Sequence, residues 1–211
     1  MAGDTYMPRQ DRLFVAFLGI LLISAAALCQ QGPPPTPDPP GTVESRGTIA
    51  SASEPGARLL VSGQVFASDG RTPAPNVIVY AYQTDATGEY HNGPDRVARL
   101  HGWVRTDGQG RFQFTTIRPA PYPGRTIAAH IHLHAWGGGY PLQWTADVKF
   151  ADDPLISARD RADAEALGSG FNNICAVTKE SDGAWRCSIR LRLQRETNYP
   201  PQYRDDPRTR P

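Results

Sequence analysis

The sequence carries no surplus of charge of either sign: 22 lysines and arginines stand against 21 acidic residues, a formal net charge of +1. A protein that grips nucleic acid needs a basic surface to release phosphate counterions, so that class is excluded. No glycine loop of the phosphate-binding type, no credible G-x-S-x-G and no internal repeat is present. Long apolar runs are also missing. The longest, Leu13 to Leu28, has sixteen uncharged residues, short of a comfortable membrane span of about 20.

That run follows Arg9 and Arg12 and ends in small residues, which is the pattern of an export signal. Ala25 to Ala27 offers an A-x-A cleavage site. Cys29 stands where a bacterial lipoprotein is acylated, although Leu28 replaces the usual small residue. Cleavage, acylation at Cys29 as a membrane tether, and an uncleaved anchor helix all place the protein outside the cytoplasm: periplasmic, envelope-attached or extracellular.

What the sequence has in excess is proline, 20 residues, roughly twice the usual share. Much of it lies in residues 30–55 and 199–211. The segment 29–57, with PPPTPDPP, has few large apolar residues to repay ordering and reads as a tether. Residues 199–211 read as a flexible tail. Between them, 58–198 is long enough for one domain.

Within that domain short β-branched and aromatic runs alternate with turn signals such as Ser68-Asp69-Gly70 and Asp107-Gly108. The runs are 59–67, 76–83, 102–106, 111–117, 128–136, 145–150, 174–177 and 186–193. Eight strands so spaced predict an all-β fold, a β-sandwich with long loops. Residues 157–167 predict the one helix, with Ser157 as N-cap and Gly168 as stop. Cys175 and Cys187 are equidistant from Ser181. A hairpin turning there sets them across from each other on neighbouring strands, close enough for a disulfide, which suits an exported protein.

The richest stretch is AAHIHLHAW, residues 128–136. Strand residues two apart share a face, so His130, His132 and His134 project together. Neighbouring pairs lie about 6.6 Å apart, near enough to converge on one ion, whereas the outer pair is about 13 Å apart. Upstream, Pro121 and Pro123 flank Tyr122 and restrict its backbone. Tyr90 follows a strand at a glycine-containing turn. His91, beside Tyr90, is a candidate for hydrogen bonding near the site; His101 and His134 read as structural. Trp136 and Tyr140 are candidates for a pocket rim.

In combination these segments resemble the intradiol ring-cleavage dioxygenases, the family of protocatechuate 3,4-dioxygenase and catechol 1,2-dioxygenase. The resemblance runs from about Gly63 through Ile156: a strand into xTDAxGxY, then RTDGxGRFxFxTIxPxPYPGR, then HIH, then FxDDPLI. It implies one Fe(III) per chain held by Tyr90, Tyr122, His130 and His132. Two phenolates and a hydroxide neutralise Fe(III), and hard anionic oxygens favour the ferric state. It further implies a catechol-type substrate and O2, ring opening between the hydroxylated carbons to a muconate-type diacid, and Tyr122 as labile ligand and internal base.

Two positions depart from the family pattern. Ile127 stands where an arginine usually faces the substrate, with Arg125 two residues away as a candidate replacement. Asp147 stands where a pocket glutamine is common. An apolar Ile127 implies either slow turnover of simple catechols or a preference for alkyl- or halo-catechols over a carboxylated ring. The long helical N-terminal segment of the catechol 1,2-dioxygenase branch has no counterpart. Residues 63–82 also resemble transthyretin-like and carboxypeptidase-regulatory modules, which keeps a non-catalytic binding module as an alternative. A zinc hydrolase using His130, His132 and Asp147 is another. A homodimer is a mild expectation from the family.

Overall fold

The computed structural model describes residues 36–200 and 206–209. The apolar run Leu13 to Leu28, expected to be an export signal, and Cys29 lie outside the described residues.

Among the described residues eleven strands form two sheets. The first has the order β1 (Arg46–Thr48), β5 (Arg111–Ile117), β2 (Arg58–Phe66), β11 (Trp185–Arg192), β10 (Thr178–Lys179). The second has the order β4 (Leu100–Arg105), β3 (Val77–Gln83), β6 (His130–Gly137), β8 (Val148–Phe150), β9 (Ile174–Cys175), with β7 (Tyr140–Trp144) also paired to β6. Alternation sends one side of each strand into the space between the sheets. There Val61, Val65, Phe112, Phe114, Ile189 and Leu191 meet Val79, Val104, Ile131, Leu133, Val148 and Phe150. Each such side chain, fully buried, contributes about 1.5–3 kcal/mol.

The expected all-β sandwich is thus observed. The eight expected strands are present within a few residues. The helix α1 (Ala158–Ala166) is capped by Ser157, whose side chain accepts from the Asp160 backbone while Asp160 reaches back. It buries no residue, so its caps and an ion pair between Asp160 and Lys149 hold it in place.

The structure corrects several expectations. Part of the expected tether 29–57 belongs to the folded body: β1 pairs in parallel with β5, Arg46 opposite Gln113, and Ile49 and Ala50 are buried. Three residues of backbone pairing leave no hydrophobic period to read. The strand β7 was also unexpected; the Gly137 to Gly139 tract forms the turn into it, each glycine at positive φ. The C-terminal segment is anchored: Tyr199 is buried, and Arg208 donates to Asp38 and to the Thr36 carbonyl.

The Cys175–Cys187 disulfide is present, with Cα atoms 5.7 Å apart, but it is no hairpin cross-link. In the β10–β11 hairpin Thr178 faces Arg186, a register that sets position 175 opposite 189. Cys175 belongs instead to β9 in the second sheet and Cys187 to β11 in the first, so the bridge ties the two sheets together.

Candidate metal centre

The outer face of the second sheet carries the site. The register places Tyr82 of β3 opposite His132 and Tyr80 opposite His134, and Ile131, Leu133 and Ala135 fill the core on the other face. His130 and His132 therefore project outward side by side, ring centroids 4.5 Å apart.

Two loops bring phenols to them. The first holds Tyr90 and is organised by Asp85, whose Oδ1 accepts from the Thr87 and Glu89 backbone N–H groups and the Thr87 hydroxyl. Asp85 Oδ2 contacts His91 Nε2 at 3.0 Å and accepts from Arg99. Burial alone would raise the Asp85 carboxyl, but these donors hold it well below the usual carboxylate range. His91 thus braces the loop and stays out of the centre. Gly88, at φ +87°, lets this loop meet the second: a Cβ there would stand 2.2 Å from the Pro121 carbonyl oxygen. The second loop holds Tyr122. Arg118 at its start makes a bidentate pair with Asp152 at 2.7 and 2.6 Å. Asp153 accepts from the Ala129 N–H at 2.8 Å, fixing the entry to β6.

Four donor atoms converge. Tyr90 Oη lies 2.5 Å from Tyr122 Oη and 2.9 Å from His132 Nε2. Tyr122 Oη lies 3.1 Å from His130 Nε2 and 3.5 Å from His132 Nε2. The two Nε2 atoms are themselves 3.1 Å apart. His130 Nδ1 is 2.8 Å from the Ala128 carbonyl and His132 Nδ1 is 2.8 Å from Asp147 Oδ1. Both partners only accept, so in the neutral imidazoles each Nδ1 carries the proton and each Nε2 a lone pair. The cluster then has two hydroxyl protons for five close contacts. At least three contacts set lone pair against lone pair, an arrangement that a central cation relieves. The donor set fits a metal ion.

The surroundings favour neutral side chains in the absence of a cation. Burial raises both tyrosines, Tyr122 being restrained by the hydrogen bond from Tyr90 and by the nearby Arg125 charge. Burial lowers His130, with the neighbouring His132 adding to the effect. Deprotonating two phenols in such a place requires the positive charge of a bound ion.

The remaining expected residues fall as follows. Asp147, His130 and His132 form a group with ligand atoms within 4.8 Å of one another, yet Asp147 addresses Nδ1, the side of His132 away from the tyrosines. Arg125 is exposed beside Tyr122, and no ion-pair partner for it occurs among the described residues. Ile127 is 44% exposed. His134 is fully buried and contacts Thr36 Oγ1 at 2.5 Å and Tyr199 Oη at 2.8 Å, so it is structural as expected. His101 Nδ1 donates to the Ala98 carbonyl at 2.6 Å. Trp136 packs in the outer-face cluster beneath Arg208 and is no pocket rim; Tyr140 packs against the main core. Asp85, Asp153 and Tyr82 were not singled out from the sequence. The two aspartates stand inside quoted motifs, and Tyr82 is legible only once the β3–β6 register is known.

A family model described as dioxygenase matches residues 41–188. The chain belongs to the intradiol dioxygenase family. It is 30% identical over 125 residues to the protocatechuate 3,4-dioxygenase beta chain of Burkholderia cepacia, covering 54% of this chain and 53% of that one. The chain spans about half the length of the curated relatives it matches. Among solved structures it is similar to the dioxygenase domain of a dioxygenase carbohydrate-binding protein fusion from Streptomyces sp. SirexAA-E, with a TM-score of 0.56 at 26% identity, covering 78% of this chain and 95% of that one. The fold is also that of 3-chlorocatechol 1,2-dioxygenase from Rhodococcus opacus 1CP, with a TM-score of 0.58 at 23% identity, covering 77% of this chain and 70% of that one. The family is one of oxidoreductases.

Proposed function

We propose that this intradiol dioxygenase holds one Fe(III) through Tyr90, Tyr122, His130 and His132 and opens a catechol-type ring with O2 to a muconate-type diacid. The observation that carries the reading is the convergence of two phenol oxygens and two imidazole lone pairs with more close contacts than protons. When bound, ferric iron would supply the Lewis acidity and electron exchange that make a catecholate reactive toward O2.

Tyr122 Oη is the proposed base for a substrate hydroxyl proton. It is half-buried and makes the longer contacts to the histidines, 3.1 and 3.5 Å, and the Arg125 charge eases its ionisation. Tyr90, packed against Tyr82, is the proposed permanent ligand. Arg125 is proposed to stabilise negative charge on the ring, and Ile127 to offer an apolar wall that favours alkyl- or halo-catechols. A visible spectrum of the isolated protein tests the centre: phenolate on Fe(III) is red-brown, whereas a zinc or metal-free protein is colourless.

Export is part of the same proposal. The Cys175–Cys187 bridge supports an oxidising compartment. No described helix is long and apolar enough to cross a membrane. Intact-mass analysis of native protein tests the compartment, with a mature N-terminus at or just before Cys29 expected; an intact Met1 in the envelope fraction points to an anchor instead. A homodimer is the proposed assembly, checked by light scattering.

A further inference from the structure

The two histidines of the centre are anchored differently. His130 Nδ1 donates to a neutral backbone carbonyl, that of Ala128, at 2.8 Å. His132 Nδ1 donates at the same distance to the carboxylate of Asp147. Across the ring from that carboxylate, His132 Nε2 faces Tyr90 Oη at 2.9 Å and His130 Nε2 at 3.1 Å. Tyr82 stacks on the His132 ring at 4.5 Å and 23°, which blocks rotation out of this line.

Asp147 is itself held. It directly precedes β8, which pairs with β6 through Val148 opposite Ile131, and its carbonyl accepts from Asn173 Nδ2 at 2.8 Å. The carboxylate is about 30% exposed. The pleat that turns His132 outward on β6 also leaves the residue before Val148 alongside its ring. A neutral amide at position 147 would orient the ring but would add no charge to it.

We propose that Asp147 is a positioning residue: it fixes His132 as the Nδ1–H tautomer, aims Nε2 at the centre and makes His132 the stronger nitrogen donor of the pair. A carboxylate drawing on the Nδ1 proton leaves more electron density at Nε2, and such partners orient and strengthen metal-binding histidines generally. The proposal rests on the iron centre proposed above for its effect on the metal, but its statement about the tautomer concerns the protein alone.

The test compares the full-length protein with Asp147→Asn, which keeps an acceptor and removes the charge, and Asp147→Leu, which removes both. Long-range proton–nitrogen spectra of the metal-free protein are expected to report His132 as Nδ1–H in the parent and a mixture of tautomers in Asp147→Leu. Chelator competition is expected to show Fe(III) held about 10- to 100-fold more weakly by Asp147→Leu, in the range typical for loss of such a partner, with a smaller loss in Asp147→Asn. The charge-transfer band of iron-loaded Asp147→Asn is expected at lower energy, because a weaker nitrogen donor leaves the iron a better acceptor from phenolate. Variants that melt earlier but keep the parental tautomer, affinity and band would make Asp147 a mere brace and overturn the proposal. Parent protein that takes no iron yet shows the Asp147-dependent tautomer would refute the iron centre and uphold the positioning role.

Discussion

The hydroxyl oxygens of Tyr90 and Tyr122 stand 2.5 Å apart although the residues are 32 positions apart in the chain. Each comes from its own loop; Tyr90 also reaches His132, and Tyr122 reaches His130 and, at longer range, His132. As neutral phenols they share a hydrogen bond, but burial raises both, so the pair ionises only where a cation accepts them as phenolates.

Tyr90→Phe and Tyr122→Phe are each expected to weaken or shift the visible band of the iron-loaded protein, since each removes one phenolate donor. Absorption spectra at matched iron content check this. A band indifferent to both substitutions sinks the two-tyrosine assignment.

His134→Ala is expected to keep the metal, whereas His130→Ala and His132→Ala lose iron or all turnover. The His134 variant is expected to lose stability instead, by about 2–4 kcal/mol, because it empties a fully buried site and leaves the Thr36 and Tyr199 hydroxyls only each other as partners. Iron content and denaturant melts separate the two behaviours. Loss of iron from His134→Ala would mean that the wrong pair of histidines has been chosen.

Asp85→Asn is expected to destabilise the protein by about 1–3 kcal/mol at neutral pH, the scale of hydrogen bonds to a charged group. The folded carboxyl is held below its unfolded value, against the upward push of burial, by bonds from Thr87, Glu89 and His91. Its contribution is therefore complete above about pH 4, the unfolded carboxylate range, and is lost as pH falls toward the folded value. The gap between parent and variant should narrow from pH 4 to pH 2 in thermal melts. An undiminished gap at pH 2 would contradict the assignment of this stability to the Asp85 charge.

Arg125→Ala is expected to slow ring cleavage about a hundredfold with iron retained, if its charge meets the ring in the transition state. Ile127→Arg is the complementary change. Steady-state rates on catechol, 4-methylcatechol and protocatechuate distinguish the cases. A silent Arg125→Ala together with a faster Ile127→Arg means that the parent site lacks the charge. Protocatechuate as best substrate with Arg125→Ala silent removes the case for an apolar wall.

Much of the fold was legible because alternation is a local property. The outward set His130, His132 and His134 and the inward set Ile131, Leu133 and Ala135 follow from a period of two, and the helix from Ser157 and Gly168 at its ends. Short strands carry no such period: β1 exists because backbone pairs with β5, and nothing in Arg46, Gly47 and Thr48 announces it. The hairpin expected around Ser181 formed, but the cross-strand cysteine pair expected within it did not. Its register is set by the turn, and a shift of the turn moves Cys187 away from Cys175 along the strand, leaving the sheet-to-sheet gap as the distance the bridge spans.

The amino-acid sequence by itself determined the donor types, their faces on the strands and the proline-flanked tyrosine, since these depend on neighbours within a few residues. Only the tertiary structure decided that Tyr90 and Tyr122 meet, that Asp147 reaches His132 from behind, and that Thr36, Tyr199 and Arg208 join the second sheet's outer face around His134 and Trp136. These contacts join segments far apart in the chain. They are set by strand order, by the β3–β6 register and by the close approach at Gly88, none of which has a local signature.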